Sequence, residues 1–268
     1  MAIKFSEGKK AHFIRFGPAG LGGVKEAVAN LEKYHKLGLS ACEIAFTYGI
    51  YIHNDKDVAV IKSAADKFDI RLSIHAPYWI NLNSKEKKKI EESKKRILDC
   101  CKIGEKLGAY RVVFHAGYFG GMDKEKTYEN IRNAVLDIMK EIKKNKWKIK
   151  IAPETMGKIN VFGSIEEIAR LVKDTNCSFC IDFAHIEARD KKVDYDKTKK
   201  LFGKHEKWHC HFSGIVYNEK GERHHIKTPK EKWRGVLEEL PHGKDIVVIN
   251  ESPEPVKDSV EGAKMMKG

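Results

Sequence analysis

The chain has no apolar run that approaches the ~20 residues a helix needs to cross a membrane. Its first residues, MAIKFSEGKK, have no apolar core of the kind that marks a signal peptide. Six cysteines are scattered along 268 residues, and the single CxxC motif, Cys177–Cys180, has no second pair with which to form a zinc knuckle. We therefore expect a cytoplasmic protein without membrane contact, in which the thiols are buried and structural.

The chain also lacks the signs of a divided or dinucleotide-binding fold. GPAGLGG (17–23) does not have the GxGxxG spacing, and we interpret it as a flexible loop. No segment rich in proline, glycine or serine could serve as a linker, and there is no low-complexity tail. Residues 1–268 are therefore expected to form one domain, and no obligate protein partner is inferred.

A short apolar segment followed by a segment with helical spacing recurs along the whole chain. One helix is predicted to end at Gly108, and Ser164 and Glu167 have the spacing of a helix capping box. The predicted strands are AHFIRFG (11–17), ACEIAFT (41–47), IRLSIHA (70–76), YRVVFHA (110–116), IKIAPET (149–155), CSFCIDF (177–183), WHCHFSG (208–214) and IVVINES (246–252). Eight strands alternating with helices predict an α/β fold, a single (β/α)8 TIM barrel.

Six consecutive predicted strands end in a histidine or a carboxylate. The side chains are His75, His115, Glu154, Asp182, His211 and Glu251. The carboxyl ends of parallel barrel strands meet at one rim, where barrel enzymes carry their active sites. Several acids placed together there would repel one another without a cation, and imidazoles and carboxylates are ligands of zinc, manganese and iron. The pattern therefore predicts a metal centre, whereas His209, one step deeper than His211, is expected to have a core role.

Two segments beyond the strand ends extend this set. His185 follows the sixth strand, and GERHHIKTP (221–229) adds Glu222, His224 and His225 after the seventh. Adjacent residues of an extended segment point in opposite directions, so one of the two histidines is expected to face the site. Glu222 and His224 are two apart and can point the same way, which favours His224. Nine candidate ligands suit a multinuclear site, and the natural chemistry of such a site is phosphodiester cleavage.

The balance of charge points to a polyanionic partner. Lysine and arginine number 51 against 38 aspartates and glutamates, a net charge of +13. A basic surface of this kind favours nucleic acid, which binds through phosphate neutralisation and counterion release. A basic balance also suits a soluble surface, so it supports a nucleic-acid partner without requiring one.

Seven motifs together resemble endonuclease IV, the family of apurinic/apyrimidinic endonucleases of base-excision repair. They fall in that family's order and approximate spacing: HAPYWINL (75–82), FHAGYF (114–119), PETMGK (153–158), CIDFAH (180–185), HFSG (211–214), GERHH (221–225) and NESPEP (250–255). Any one of them is a modest signal, but seven in order, each at a strand end or in its loop, indicate the superfamily. The resemblance implies a zinc-dependent endonuclease that acts on double-stranded DNA with abasic sites.

Carried onto this sequence, the resemblance implies three Zn2+ ions per chain, with Mn2+ as an alternative. His75 and His115 would hold one ion, and Glu154 would bridge it to a second. The remaining ligands are Asp182, His211 and Glu251 for the second ion, and His185, Glu222 and His224 for the third. Glu154 and Glu251 are also the candidate catalytic residues, in a mechanism in which a metal-bound hydroxide attacks the phosphorus 5′ to the abasic sugar.

The resemblance also implies contacts with DNA. Tyr78 matches an aromatic wedge in the loop after the third strand, and Arg223 and His225 are candidate DNA contacts. The loop after the second strand lacks the family's arginine, so Tyr48 or Tyr51 would have to replace it.

Two other departures from the family concern the loops after the first and the seventh strands. Glu222 stands where the family usually has aspartate, one methylene shorter, which leaves ligation open to an altered geometry. FGPAGLGG (16–23) stands in place of the usual His-Val-Ser opening after the first strand.

A sugar isomerase or epimerase of the xylose-isomerase-like barrels is the alternative. Such a protein would bind one Mn2+ through Glu154, Asp182, His211 and Glu251, with two acids placed for proton transfer at carbon. The additional imidazoles distinguish the two predictions, because a mononuclear isomerase does not need them. Counting the bound ions would decide between them.

Overall fold

The computed structural model describes residues 13–266, so the first two residues of the first predicted strand lie outside the described part. The strands within it are β1 (Phe13–Pro18), β2 (Ala41–Ala45), β3 (Arg71–His75), β4 (Arg111–Phe114), β5 (Lys150–Pro153), β6 (Ile181–Asp182), β7 (Lys207–Phe212), β8 (Gly214–Asn218), β9 (Gly221–Ile226) and β10 (Asp245–Asn250). The helices are α1 (Ala27–Lys36), α2 (Asp55–Lys67), α3 (Lys87–Leu107), α4 (Lys124–Lys144), α5 (Ile165–Thr175), α6 (Phe183–Asp190), α7 (Tyr195–Phe202), α8 (Lys230–Glu239) and α9 (Pro255–Met265).

Eight of the strands form a closed parallel barrel, as predicted. One sheet has the order β1-β10-β7-β6 and the other β2-β3-β4-β5, and every pair within them is parallel. Single bridges close the two seams between the sheets, Ala19 with Glu43 and Glu154 with Cys180. Each strand is followed by a helix, so the architecture is a (β/α)8 barrel.

The segment after β7 differs from the prediction of a plain loop. β8 and β9 pair as an antiparallel hairpin, with a shift of register between Val216 and Tyr217. This hairpin lies between the seventh barrel strand and α8, on the side of the barrel where the strands end. It carries the GERHH motif, so its register decides which of those side chains can face the rim.

Alternation along the barrel strands separates an apolar outer face from a partly polar interior. Outward residues such as Phe16, Ile44 and Ile74 join the large core that includes the helix residues. A second, small cluster of Val113, Ala152 and Cys180 lies apart from that core. Because side chains two apart share a face, the strand histidines and acids point into the same interior as this small cluster.

Local signals at the helix ends agree with the sequence. α3 ends at Gly108, whose φ of 72° is the left-handed conformation that glycine adopts without strain. Ser164 and Glu167 form the reciprocal capping box at the start of α5. All six cysteines are free and buried, as expected for structural thiols. Among the described helices, none is both long and apolar enough to cross a membrane.

Candidate metal centre

Glu154, which follows β5, lies at the centre of the cluster of histidines and acids at the rim. Its carboxylate is fully buried and touches imidazoles from four other elements. One oxygen, Oε2, lies 3.2 Å from Nε2 of both His75 and His115. The other, Oε1, lies 3.1 Å from Nδ1 of His211 and 3.3 Å from Nδ1 of His185. A carboxylate surrounded in this way can bridge two cations.

The described residues contain three groups at this rim whose donor atoms lie within 4.8 Å of one another, close enough to share an ion. They are His75 with His115 and Glu154; Glu154 with Asp182, His211 and Glu251; and His185 with Glu222 and His225. Glu154 belongs to the first two groups, and His185 of the third group contacts it. Eight of the nine predicted ligands therefore meet at one rim.

Asp182 provides a test of whether a cation fits. β6 passes directly into α6, and Asp182 caps that helix, with Oδ1 accepting a hydrogen bond from the backbone N–H of His185 at 2.8 Å. Its second oxygen, Oδ2, is buried and has no hydrogen-bond partner, because Nδ1 of His185, 3.4 Å away, is directed to the carbonyl oxygen of Thr155 instead. An unpaired buried carboxylate oxygen costs free energy unless a charge or a donor meets it. A metal ion in the second group would satisfy this atom, so the residues fit a bound cation.

Backbone carbonyls orient two of the imidazoles toward the centre. Nδ1 of His75 lies 2.8 Å from the carbonyl oxygen of Ala76, so Nδ1–H donates there and Nε2 is left to face Glu154. Nδ1 of His185 lies 3.0 Å from the carbonyl oxygen of Thr155, and its Nε2 lies 3.4 Å from Glu222 Oε2. Such contacts fix which ring nitrogen is available to a metal.

The acids and imidazoles of the rim shift one another's pKa values. Burial raises the pKa of the Glu154 carboxyl, but the surrounding imidazoles, His211 foremost, outweigh it and hold that pKa well below its usual range. Burial lowers the pKa of His75, but the hydrogen bond and charge of Glu154 outweigh it and raise the pKa to about 9. In the free protein His75 therefore holds a proton that balances the charge of Glu154. A divalent ion would take over that role as the proton leaves.

The hairpin corrects one predicted ligand. His224 is exposed and belongs to none of the groups, whereas Nε2 of His225 lies 4.0 Å from Glu222 Oε1. Val216 of β8 pairs with His224 of β9, and the next residue, Tyr217, pairs with Glu222. Arg223 is therefore an extra residue without a partner on β8, which makes it a β-bulge. A bulge reverses the alternation beyond it, which puts residues 222 and 225 on one side. His225 therefore takes the place that the sequence assigned to His224.

Two glycines and one serine hold the hairpin against the site. A Cβ on Gly157 would lie 2.7 Å from Cβ of Glu222, and one on Gly221 would lie 2.1 Å from the carbonyl oxygen of Gly157. The φ of Gly221 is also positive, at 97°. Oγ of Ser213 lies 2.6 Å from Nδ1 of His225, so Nε2 of that ring is the nitrogen that faces Glu222. Close backbone approach at this point is what brings the third group together.

Sequence reasoning missed Glu43, which lies below the rim on β2. Its carboxylate is fully buried, and Oε2 accepts hydrogen bonds from Oγ of Ser73 at 2.8 Å and from Nε2 of His209 at 2.9 Å. Its other oxygen, Oε1, lies 2.9 Å from Nε2 of His211. His209 is fully buried, as expected of a core residue. The available signal was a lone acid within an apolar strand, which is costly unless it is paired.

Aromatic side chains line one side of the opening. The ring of Tyr78 stacks on His115, with centroids 5.7 Å apart and an angle of 25°, and is half exposed. Tyr48 is 83% exposed and contacts both Tyr78 and Trp79 edge-on or tilted. Tyr51, by contrast, donates its hydroxyl to the carbonyl oxygen of Gly22 and packs on Phe46. Of the two tyrosines considered as a replacement for the missing arginine, only Tyr48 is free to contact a substrate.

Comparison of the sequence with known proteins identifies the family of this chain. A family model described as xylose isomerase-like TIM barrel matches residues 31–268. The chain belongs to the xylose isomerase-like TIM barrel family. Uncharacterized protein MJ0133 of Methanocaldococcus jannaschii is 35% identical over 263 residues, which cover 91% of this chain and 94% of that protein. A protein named probable endonuclease 4, from Mycobacterium ulcerans, is 26% identical over 175 residues, which cover 63% of this chain and 66% of that protein.

Solved structures agree on the fold. Endonuclease IV from Thermus thermophilus superposes with a TM-score of 0.72 at 21% identity, covering 95% of this chain and 97% of that one. A D-tagatose 3-epimerase-like protein superposes with a TM-score of 0.71, also at 21% identity, covering 94% and 96%. At this identity both likenesses establish the xylose isomerase-like barrel and nothing more specific. The choice between one ion and three therefore depends on the ligand groups of this chain.

Proposed function

We propose that this xylose isomerase-like protein is a zinc-dependent endonuclease that hydrolyses the phosphodiester 5′ to abasic sites in DNA. The observation that carries the proposal is the number of ligand groups at the rim. A mononuclear site needs one group of about four to six ligands, yet three groups converge on Glu154 and His185. The partial similarity to a probable endonuclease 4 supports the same reading.

In this proposal each group holds one ion, and Mn2+ is an alternative to Zn2+. The bound ions would supply Lewis acidity, which activates water and stabilises the departing 3′ oxygen. Glu154 is too enclosed to meet substrate directly, and because it belongs to the first two groups it would help to hold both of their ions. Glu251 has 20% of its side chain exposed and lies 3.4 Å from Nδ1 of His211, so it can orient the attacking water from the open side. Glu154 and Glu251 are therefore the proposed catalytic residues.

The proposed DNA contacts lie around the opening. Tyr78 would stack on a base or sugar beside the lesion, and exposed Tyr48 extends that surface. Arg223, exposed at the hairpin bulge, would contact a phosphate. His225, a predicted DNA contact, faces Glu222 instead and is reassigned to the third ion. A pocket of about 520 Å3 is lined by Trp79 and by four charged residues of α3, namely Arg96, Asp99, Lys102 and Lys106.

The test is nicking of a duplex oligonucleotide that contains one abasic site. The metal-loaded protein should cut 5′ to the site and leave a 3′-hydroxyl, and a chelator should abolish cleavage until zinc is returned. Glu251→Gln keeps the volume of the side chain and should lower the cleavage rate by about 10³-fold, the scale of losing one group that acts on the reacting atoms. Intact substrate in the presence of stoichiometric, metal-loaded protein would refute the proposal.

The second candidate is a sugar isomerase or epimerase with one Mn2+. It is favoured by the group of Glu154, Asp182, His211 and Glu251, which alone could form a complete site. Elemental analysis separates the two functions before any substrate is chosen. About three ions per chain supports the nuclease, and a single ion held after dialysis supports the isomerase.

A further inference from the structure

Both ring nitrogens of His211 face a carboxylate, and they face different ones. Nδ1 lies 3.1 Å from Oε1 of Glu154 and 3.4 Å from Oε2 of Glu251, inside the second ligand group. Nε2 points the opposite way, to Oε1 of Glu43 at 2.9 Å. Neither Nε2 nor that oxygen has a hydrogen bond of aligned geometry, and the 2.9 Å contact joins them. The ring therefore spans two layers of the barrel interior.

Glu43 is held in place from the other side. Its Oε2 accepts from Ser73 and from Nε2 of His209, and Nδ1 of His209 accepts from the Tyr110 hydroxyl at 2.6 Å. Glu43, His209 and His211 are all fully buried. Cys180, His209 and His211 could by spacing hold a metal, but both nitrogens of His209 are already engaged. This deeper layer is therefore a hydrogen-bonded support and not a further ion site.

A neutral imidazole carries one proton, on one nitrogen or the other. An ionised carboxylate can only accept, so acids beside both nitrogens favour a proton on each. An ion bound beside Glu154 and Glu251 would displace the proton of Nδ1 and leave the one on Nε2, beside Glu43. The lone pair is then on Nδ1, which faces Glu154 and Glu251. Partners of this kind are known to set the orientation and basicity of metal-ligating histidines.

We propose that Glu43 is a positioning residue for the metal centre: it fixes the Nε2-protonated form of His211 and thereby directs Nδ1 to the ion of the second group. This inference rests on metal binding at the rim, which is part of the proposed function, but not on DNA cleavage. Glu43 acts through His211 and does not itself touch the ion or the substrate, while Ser73 and His209 contact only its other oxygen.

Glu43→Gln tests the proposal because its effect on the tautomer can be derived. Ser73 and His209 both donate to the Oε2 position, so the amide oxygen of glutamine would take that place. The amide NH2 would then face Nε2 of His211 and require it to accept. The proton would move to Nδ1, where it opposes the ion. We expect one ion to bind about 10–100-fold more weakly, as measured by competition with a chelator.

Ser73→Ala is the matched control, because it removes one donor to the same carboxylate and leaves the charge and the contact with His211. It should bind every ion within about twofold of the natural chain, since the acceptor beside Nε2 is unchanged. The positioning role is further isolated by a double-mutant cycle with His211→Ala. In that background Glu43→Gln should cause no additional loss of affinity, because the group through which Glu43 acts is gone.

Several results would overturn the proposal. Equal ion affinity in Glu43→Gln and the natural chain would do so, as would an equal loss in Ser73→Ala or an additive loss in the double variant. If Glu43→Gln does not fold, 15N NMR of the zinc-loaded natural chain decides, since the proposal requires the proton of His211 on Nε2. A natural chain that binds ions but does not cut DNA would refute the nuclease and leave this inference standing; one that binds no ion would refute both.

Discussion

The barrel strands and the β8–β9 hairpin both contribute candidate ligands to the rim, but the two regions follow different rules. In the barrel, residues two apart share a face, and His209 and His211 both point inward. In the hairpin, Glu222 and His225 are three apart and share a side because a bulge intervenes. A barrel strand is paired on both sides, which fixes its register, whereas a hairpin outside the barrel can accommodate an extra residue. Alternation therefore predicts ligands reliably only where both neighbours constrain the strand.

The barrel and the hairpin should differ most in the number of ions lost when one glutamate of each region is replaced by glutamine. Glu154→Gln removes the charge that meets four imidazoles, so at least two ions should be lost and cleavage should fall by about 10³-fold or more. Glu222→Gln, on the hairpin, should remove only the third ion. Elemental analysis and single-turnover cleavage measure both effects. Equal ion losses in the two variants would show that Glu154 is not shared by two of the groups.

The hairpin register is tested by two neighbouring residues. His225→Ala should remove the third ion or weaken it by at least about tenfold, because Nε2 of that ring faces Glu222. His224→Ala is the matched control and should keep all ions, since that side chain is exposed and outside the groups. If His224→Ala loses the ion and His225→Ala keeps it, the bulge has been placed at the wrong residue.

The aromatic side of the opening should affect DNA binding without affecting the metal. Tyr48→Ala should weaken binding of abasic duplex by about 1–3 kcal/mol, the usual value of one stacking contact, at unchanged ion content. Tyr51→Phe should bind like the natural chain, because its hydroxyl donates to Gly22 and not to the opening. Titration by fluorescence anisotropy at fixed salt measures both. Loss of affinity in Tyr51→Phe alone would contradict the assignment.

The smallest expected effect is on the metal-free protein and depends on pH. The pKa of His75 on β3 is raised from 6.5 to about 9, so its protonated form stabilises the fold below pH 6.5 and this contribution is lost as pH rises through about 9. After chelation, the unfolding temperature should fall by a few degrees over this range, at about 2–4 °C for each kcal/mol. Zinc affinity should rise over the same range, because the ion displaces the proton. A chelated protein that gains stability from pH 6.5 to 9 would contradict this.

Most of the barrel and of its rim could be predicted from sequence, and the exceptions have physical causes. His75, His115, Asp182 and His211 could be placed because strand ends in a parallel barrel share one rim. His225 rather than His224 lies beside Glu222 because of a bulge, and a bulge depends on local backbone pairing that residue types alone do not reveal. Glu43 was missed because its partners come from β3 and β7, distant in sequence and visible only once the barrel is closed.

Glu43 and Glu154 also lie at the two places where the two sheets of the barrel meet. Glu43 and Glu154 are the two residues of the second sheet whose single bridges complete the cylinder, and their side chains reach His209 and His211 on the first sheet. Glu154, a proposed ligand, and Glu43, which lies behind one, therefore also join one half of the cylinder to the other. Removal of the ions should speed amide hydrogen exchange most at the two bridges between the sheets. Metal binding at the rim should therefore increase the stability of the whole barrel.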